Sequence, residues 1–428
     1  MPFSRIASGV WERVSSATER RGTAIQKAVG GKPLTAFFLP LPLQDKTRVE
    51  NDMKIHPDKV YIYSARIEQD EAPFAQYRSL AYAALNALEL DLPSAGKVLL
   101  KPNATVLFPP EKRVITHPGF VGGMLDALVD KGVGRERLLV AEGQSGEQPA
   151  SGHTWEVSGY REMLAQRRIP LTLLNGVETR PVEVPGGVVY SSYPLAREVM
   201  DCSFFFNIPL AKCHNLGCTT LSIKNLMGIL TSPVRHLCNI QEIDQPFAEG
   251  IWRLTESGLS LFEDRFYHKL CDLVAALRSL KIPRLCVVDG LVGRDGTAFN
   301  EGRNYPLGWA LLGENEVHVD AVATYLMGLN PEATPYLQFA AARGLGTARI
   351  EEIEVVDLPS GQSLDGHALH ERRSRQILMP VSRFGDGYYK RFRQDGSAVP
   401  WRIDEVNKQR QADGLPEVPV EVEAGDYP

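Results

Sequence analysis

The chain has 428 residues, 43% hydrophobic and 23% charged, an ordinary globular composition that excludes a largely disordered protein. Its 47 basic and 52 acidic residues leave a net charge of −5, which argues against a broad nucleic-acid surface. Mean hydropathy is −0.18, and no run approaches the ~20 apolar residues of a membrane span.

The N-terminal 70 residues read as an extension. Arg20-Arg21 precedes a weakly apolar stretch at 36–43 that prolines interrupt, so it reads as a surface helix and an irregular arm rather than a targeting signal. Lys59-Val60-Tyr61-Ile62-Tyr63 has the composition of a strand entering the main sheet. From 71 to 350, helical and strand patterns alternate. The spacing predicts helices over 75–90, 119–132, 156–168, 216–230, 260–280, 317–328 and 333–344. Between them lie short apolar strands at 97–100, 137–141, 171–174, 203–206 and 284–288. This order predicts an α/β fold with a mostly parallel open sheet and helices on both faces, and it also allows two lobes. Residues 351–428 read as one more strand, near 353–356, and a polar tail that wraps the surface.

Ligands of an open parallel sheet sit beyond the carboxyl ends of its strands. The residues that follow each apolar run are therefore the informative ones: Lys101 and Asn103, Glu142, Asn207, and Asp289. Lys212, His214, Lys224, Arg235 and His236 follow within 25 residues of one another, with Gly217 at an expected helix entrance that would expose backbone N–H groups. On a helix over 216–230, Thr220, Lys224 and Gly228 would share one stripe, with Asn225 beside them. Lys224 stands in an apolar stretch, so it should meet an anion, lose its proton readily or reach outward to water; an exposed stripe would explain it equally well. Thr116-His117-Pro118 precedes a helix, which Thr116 or His117 would cap with Pro118 in the first turn, or His117 would instead reach the site as acid, base or ligand. The glycine-rich stretch 289–296 reads as an active-site loop carrying Asp289 and Asp295, with Glu301 further on.

The six cysteines include no C-x-x-C pair and no ferredoxin-type iron–sulfur motif, which suits a reducing, cytoplasmic compartment. Cys213, His214 and Cys218 are candidate metal ligands, although their spacing matches no standard zinc pattern. A divalent metal on Glu142, Asp289 or Glu301 is a further alternative.

Several segments together resemble the family known as domain of unknown function 362. They are Val98-Leu99-Leu100-Lys101-Pro102-Asn103, Thr116-His117-Pro118, Lys212-x-His214, Leu221 to Gly228, Arg235-His236, Val287-Val288-Asp289-Gly290, and Val319 to Ala323 followed by Leu326-Met327-Gly328. The resemblance spans roughly residues 95–330. It implies kinship to proteins often joined to an iron–sulfur module and, by order of elements, a loose likeness to two-lobed lactate-racemase-type proteins. The chain departs from the family's Glu-Gly-x-Gly-Pro pattern, showing Asp295-Gly296-Thr297-Ala298-Phe299 instead.

The leading expectation is a soluble enzyme that acts on a small carboxylate or phosphate by acid–base chemistry. In it Lys101, Lys212 and Lys224 hold the negative charge. His117, His214 or His236 moves protons, and Asp289 and Glu301 orient a histidine or hold a metal. The alternatives are a redox or metal enzyme and a non-catalytic binding protein. No nucleic-acid or membrane partner is expected, and self-association is left open.

Overall fold

The computed structural model describes residues 53–380, apart from 68–72, 106–107, 145–151, 215, 232–233, 235, 249, 252–258, 297–301 and 379; beyond 380 it describes only short backbone segments. The stretch before residue 53, which holds most of the expected extension, and the candidates Arg235 and Glu301 lie outside the described residues.

One eleven-stranded sheet organises the core. Its strands are β1 (Val60–Ser64), β2 (Lys97–Pro102), β3 (Leu138–Glu142), β4 (Leu171–Leu173), β5 (Cys202–Ile208), β6 (Leu210–His214), β7 (Cys218–Thr219), β8 (Arg284–Arg294), β9 (Asn304–Gly313), β10 (Val355–Asp357) and β11 (Gln362–Ser363). The order across the main path is β11-β10-β1-β9-β8-β5-β2-β3-β4, with β6 attached to β8 and β7 to β6. Strands β8, β5, β2, β3 and β4 run parallel. Strand β9 runs antiparallel to both of its neighbours, β8 and β1. The sheet is therefore mostly parallel with one reversed strand inside it.

Alternation along the parallel strands fills a core on each face. Leu99, Phe205 and Val288 face one side; Val98, Leu100, Val140, Phe204 and Phe206 face the other. The first face is covered by α6 (Leu261–Ser279), α7 (Glu316–Leu326) and α8 (Pro335–Ala342); the second is covered by α1 (Phe74–Asn86), α2 (Pro118–Asp130) and α4 (Tyr160–Arg167), which follows α3 (Gly152–Val157). A capping box starts α6: Ser260 Oγ accepts from Glu263 N, and Glu263 Oε2 accepts from Ser260 N. Asn315 caps α7 through Val317 N.

Two sequence expectations fail in informative ways. The expected helix over 216–230 is instead β7, a single α-turn α5 (Ser222–Asn225) and a 3₁₀ turn at Leu226–Ile229. Cys218 adopts a left-handed φ of 68°, which a continuous helix does not allow. Asp320 of α7 then caps the new turn, accepting from Ser222 N at 2.6 Å and Ile223 N at 3.0 Å. The expected stripe of Thr220, Lys224 and Gly228 does not form. The glycine-rich stretch, read as a loop, is strand through Arg294, in a hairpin with β9. A β-carbon at Gly290 would lie 2.0 Å from the Trp309 ring, so this glycine serves strand packing. Smaller differences are the break of the helix over 156–168 at Gly159 (φ 75°) and the end of α1 at Asn86.

Helices α1 and α2 touch closely at Gly123, where an added β-carbon would lie 2.1 Å from the backbone oxygen of Arg78. Backbone cannot move aside as a side chain can. Gly123→Ala is expected to destabilise the protein by about 1–3 kcal/mol in urea unfolding. A loss under about 0.5 kcal/mol would show that the helices do not approach this closely.

Candidate functional site

The carboxyl ends of β2, β3 and β5 meet, as the strand-end argument expects. Lys101 pairs in register with Asn207. Lys101 Nζ lies 2.8 Å from Glu142 Oε1, and neither side chain is exposed to solvent. Glu142 also accepts from Ala104 N at 2.7 Å and from Gly143 N at 2.8 Å. Burial drives Lys101 downward and Glu142 upward in pKa, and their mutual contact opposes both shifts.

Asn225, on α5, ties this pair to the neighbouring strand. Its Oδ1 accepts from Lys101 Nζ and from Asn103 Nδ2, both at 3.1 Å, and its Nδ2 donates to Asn207 Oδ1 at 2.8 Å. Asn207 Nδ2 donates in turn to Ser222 O. Gly228 closes over the pair, since a β-carbon there would lie 2.1 Å from Glu142 Oε1 and 2.7 Å from Lys101 Nζ. The Asn225…Gly228 spacing is thus the shape needed to lay a turn across a buried ion pair. Lys101 and Glu142 form the closed floor of the site and are not free to hold a ligand.

Lys212 lies above this floor. Thr116 Oγ1 bridges Asn103 N and Ile208 O, which joins the ends of β2 and β5. Two residues earlier, the Val114 carbonyl accepts from Lys212 Nζ at 2.5 Å. Thr220 N donates to Lys212 O at 2.9 Å and fixes the backbone there. In the β6–β8 pairing, Lys212 stands in register with Arg294. Burial, then the charges of Lys224 and Arg294, lower the pKa of Lys212 from 10.5 to about 7.

Lys224 projects from α5 with its Nζ 3.7 Å from Met227 Sδ and 6.0 Å from the centre of the Phe266 ring. Burial lowers its pKa as well. Gly217 lies between Lys224 and His214: a β-carbon there would be 3.6 Å from Lys224 Cδ and 3.9 Å from His214 Nδ1. Among the described residues, neither Lys212 nor Lys224 has a carboxylate within ion-pair distance. Arg294 donates from Nη1 to Asn304 Oδ1, while its buried Nε has no partner. Asn103 Oδ1 is a buried acceptor in the same condition. The result is a cationic cluster with one unsatisfied donor, Arg294 Nε, and one unsatisfied acceptor, Asn103 Oδ1.

Other sequence candidates take structural positions. His117 Nδ1 accepts from Gly119 N at 3.0 Å and caps α2, and its ring stacks 3.9 Å from the Tyr77 ring. Burial, then Arg113, holds His117 well below its usual pKa, so it stays neutral near pH 7. Asp289 does not orient an imidazole; its Oδ2 accepts from the backbone N of His117 at 3.0 Å and faces Arg113 Nη2 at 3.3 Å. His214 Nδ1 accepts from Leu216 N and Gly217 N. Gly217 therefore offers no free N–H, and Asp320 occupies the α5 N-terminus, so the expected backbone anion cradle is not built. At His236, the fold engages the carbonyl, which accepts from Gln241 Nε2.

The cysteine candidates diverge. Cys213 and His214 are consecutive in β6, so their side chains leave opposite faces. Burial holds the Cys213 thiol well above its usual pKa, and the thiol donates to Leu378 O at 2.9 Å. The described residues contain no group of three or more His, Cys, Asp or Glu side chains arranged to hold a metal ion.

Arg294 is a site residue that the sequence does not single out, because the glycines around it give its stretch the pattern of a loop. Its available signal was the apolar run Leu285 to Val292, which continues past Asp289.

A family model described as "Domain of unknown function (DUF362)" matches residues 98–325, just over half of the chain. The thylakoid-associated protein sll1697 of Synechocystis sp. is 24% identical over 294 residues, covering 67% of this chain and 78% of that protein. No helix among the described residues is long and apolar enough to cross a membrane.

Proposed function

Since the chain belongs to the family of domain of unknown function 362, whose description assigns no chemistry, we propose a function from the recess itself: it binds a small anionic substrate between Lys212 and Lys224, and Lys212 exchanges a proton with that substrate. The observation that supports this reading is the pair of neighbouring ammonium groups without a carboxylate among the described residues. A fold gains nothing by burying two such groups together. An anion would relieve both. A pKa of about 7 also leaves Lys212 able to give or take a proton near neutral pH.

The test is the pH dependence of stabilisation by anions, with phosphate and acetate as probes. Lys212 is protonated below about 7, so the shift in melting temperature should be larger at pH 6 than at pH 9. Lys224→Met should reduce it at both. Equal shifts at both pH values, or an unchanged shift in the variant, would refute the reading. We further propose a cytoplasmic setting, supported by the sparse cysteines, six in 428 residues with no C-x-x-C pair among them. The thylakoid association of the Synechocystis relative points to a competing location, which cell fractionation would decide.

A further inference from the structure

The charges around the recess can be matched one by one. Lys101 is answered by Glu142 and Arg113 by Asp289. The charge of Asp295 acts on Arg294 and supports its ionised form. Two positive charges, on Lys212 and Lys224, have no carboxylate within ion-pair distance among the described residues; Glu142, already paired with Lys101, acts on Lys212 only from further off. A singly charged carboxylate would leave one of them uncompensated in a desolvated site. A dicarboxylate carries enough charge but spreads it over two separated groups. Here, by contrast, Lys212 feels the charge of Lys224, and Arg294 stands opposite Lys212 in the sheet with its Nε–H unused and only 7% of its surface exposed. Lys212 thus has two further cations near it, and such a set suits a group with several equivalent oxygens. Asn103 Oδ1 adds a requirement of a different kind. It is a buried acceptor at the adjoining strand end, while the same amide's Nδ2 is held by Asn225. A fixed amide oxygen of this sort calls for a donor on the ligand.

We propose that the occupant is a phosphate monoester of a hydroxylated small molecule, its doubly charged head between Lys212, Lys224 and Arg294 and a hydroxyl on Asn103 Oδ1. This inference rests on the anion-binding reading and narrows its substrate class.

Calorimetric titration of the full chain with glycerol 3-phosphate, methyl phosphate, inorganic phosphate, malonate and acetate tests it. Glycerol 3-phosphate should bind most tightly, about three- to tenfold better than methyl phosphate, which lacks the hydroxyls. Acetate should bind at least about tenfold more weakly than methyl phosphate. Lys224→Gln should weaken both phosphate esters by a similar factor while leaving the preference for glycerol 3-phosphate intact. Lys224 is half-buried on a short turn, so this variant is the one least expected to disturb folding; a melting curve checks that it is folded. Malonate or acetate binding as well as the esters would overturn the phosphate assignment but leave the anion reading standing. Equal affinity for the two esters would overturn the role of Asn103. Binding of none of the five probes would overturn the proposal together with the reading beneath it.

Discussion

Lys101→Met is expected to lower stability by about 3–5 kcal/mol. The lysine is fully buried, and its loss would leave Glu142 without its charged partner while two backbone N–H groups still point at the carboxylate. Asn225 Oδ1 would lose one of its two donors. Much of the effect comes from the partner left behind rather than from the contact removed, and that yields a second expectation. The double variant Lys101→Met with Glu142→Gln should recover a substantial part of the loss, because the amide needs no counter-charge. Urea unfolding of the two single variants and the double variant measures the coupling. A single-variant loss under about 1 kcal/mol, or losses that simply add, would mean that the two groups do not share a buried contact.

Lys212→Met should act in the opposite direction. The folded protein holds the Lys212 pKa at about 7, against 10.5 for an ordinary lysine. Between those values the unfolded chain binds a proton that the folded chain does not, so stability rises with pH across that window. Below about 7 both states are protonated and the full cost of the buried ammonium is present; above 10.5 the cost is gone. The main cause is burial of the amine, followed by the ammonium of Lys224 and the guanidinium of Arg294, opposed by Glu142. Removing the amine should therefore stabilise the protein by on the order of 2–4 kcal/mol at pH 6, after allowing for the bond lost at the Val114 carbonyl. The gain should shrink steadily toward pH 10. The same variant should lose the response to anions. A residue whose removal strengthens the fold and abolishes ligand binding is retained for function rather than for stability. If Lys212→Met destabilises the protein equally at pH 6 and pH 9, Lys212 is a packing residue and carries no buried charge.

The parallel half of the fold was legible in the sequence because each strand there is a short apolar run that ends abruptly in polar residues. Val98 to Leu100 giving way to Lys101, and Leu138 to Ala141 giving way to Glu142, mark both the strand and its rim end. His117 was legible as a cap from its place before Pro118. The segment 216–230 has a helical periodicity, but it breaks at the left-handed residue Cys218 and is held from outside by Asp320 and by the ion pair beneath Gly228. Such determinants lie tens of residues away in sequence, and local spacing does not carry them. Strand β8 was cut short at Val288 because glycines at 290 and 293 imitate a loop; in the fold they admit Trp309 and Leu307 against the strand. Arg294 was lost with that misreading. The sequence groups Lys212 with Lys224 only by proximity along the chain. What brings them together is the β6–β7 turn and the short α5, not a shared helix face.

The presence of an anion site between Lys212 and Lys224 can be decided by diffraction from crystals grown with selenate, a doubly charged tetrahedral anion whose selenium scatters anomalously. The recess described above predicts a selenium peak within hydrogen-bond reach of Lys212 Nζ and Lys224 Nζ, with Arg294 alongside. Saturating selenate that leaves this point empty, or density showing the two ammonium groups turned away from each other into solvent, would contradict it.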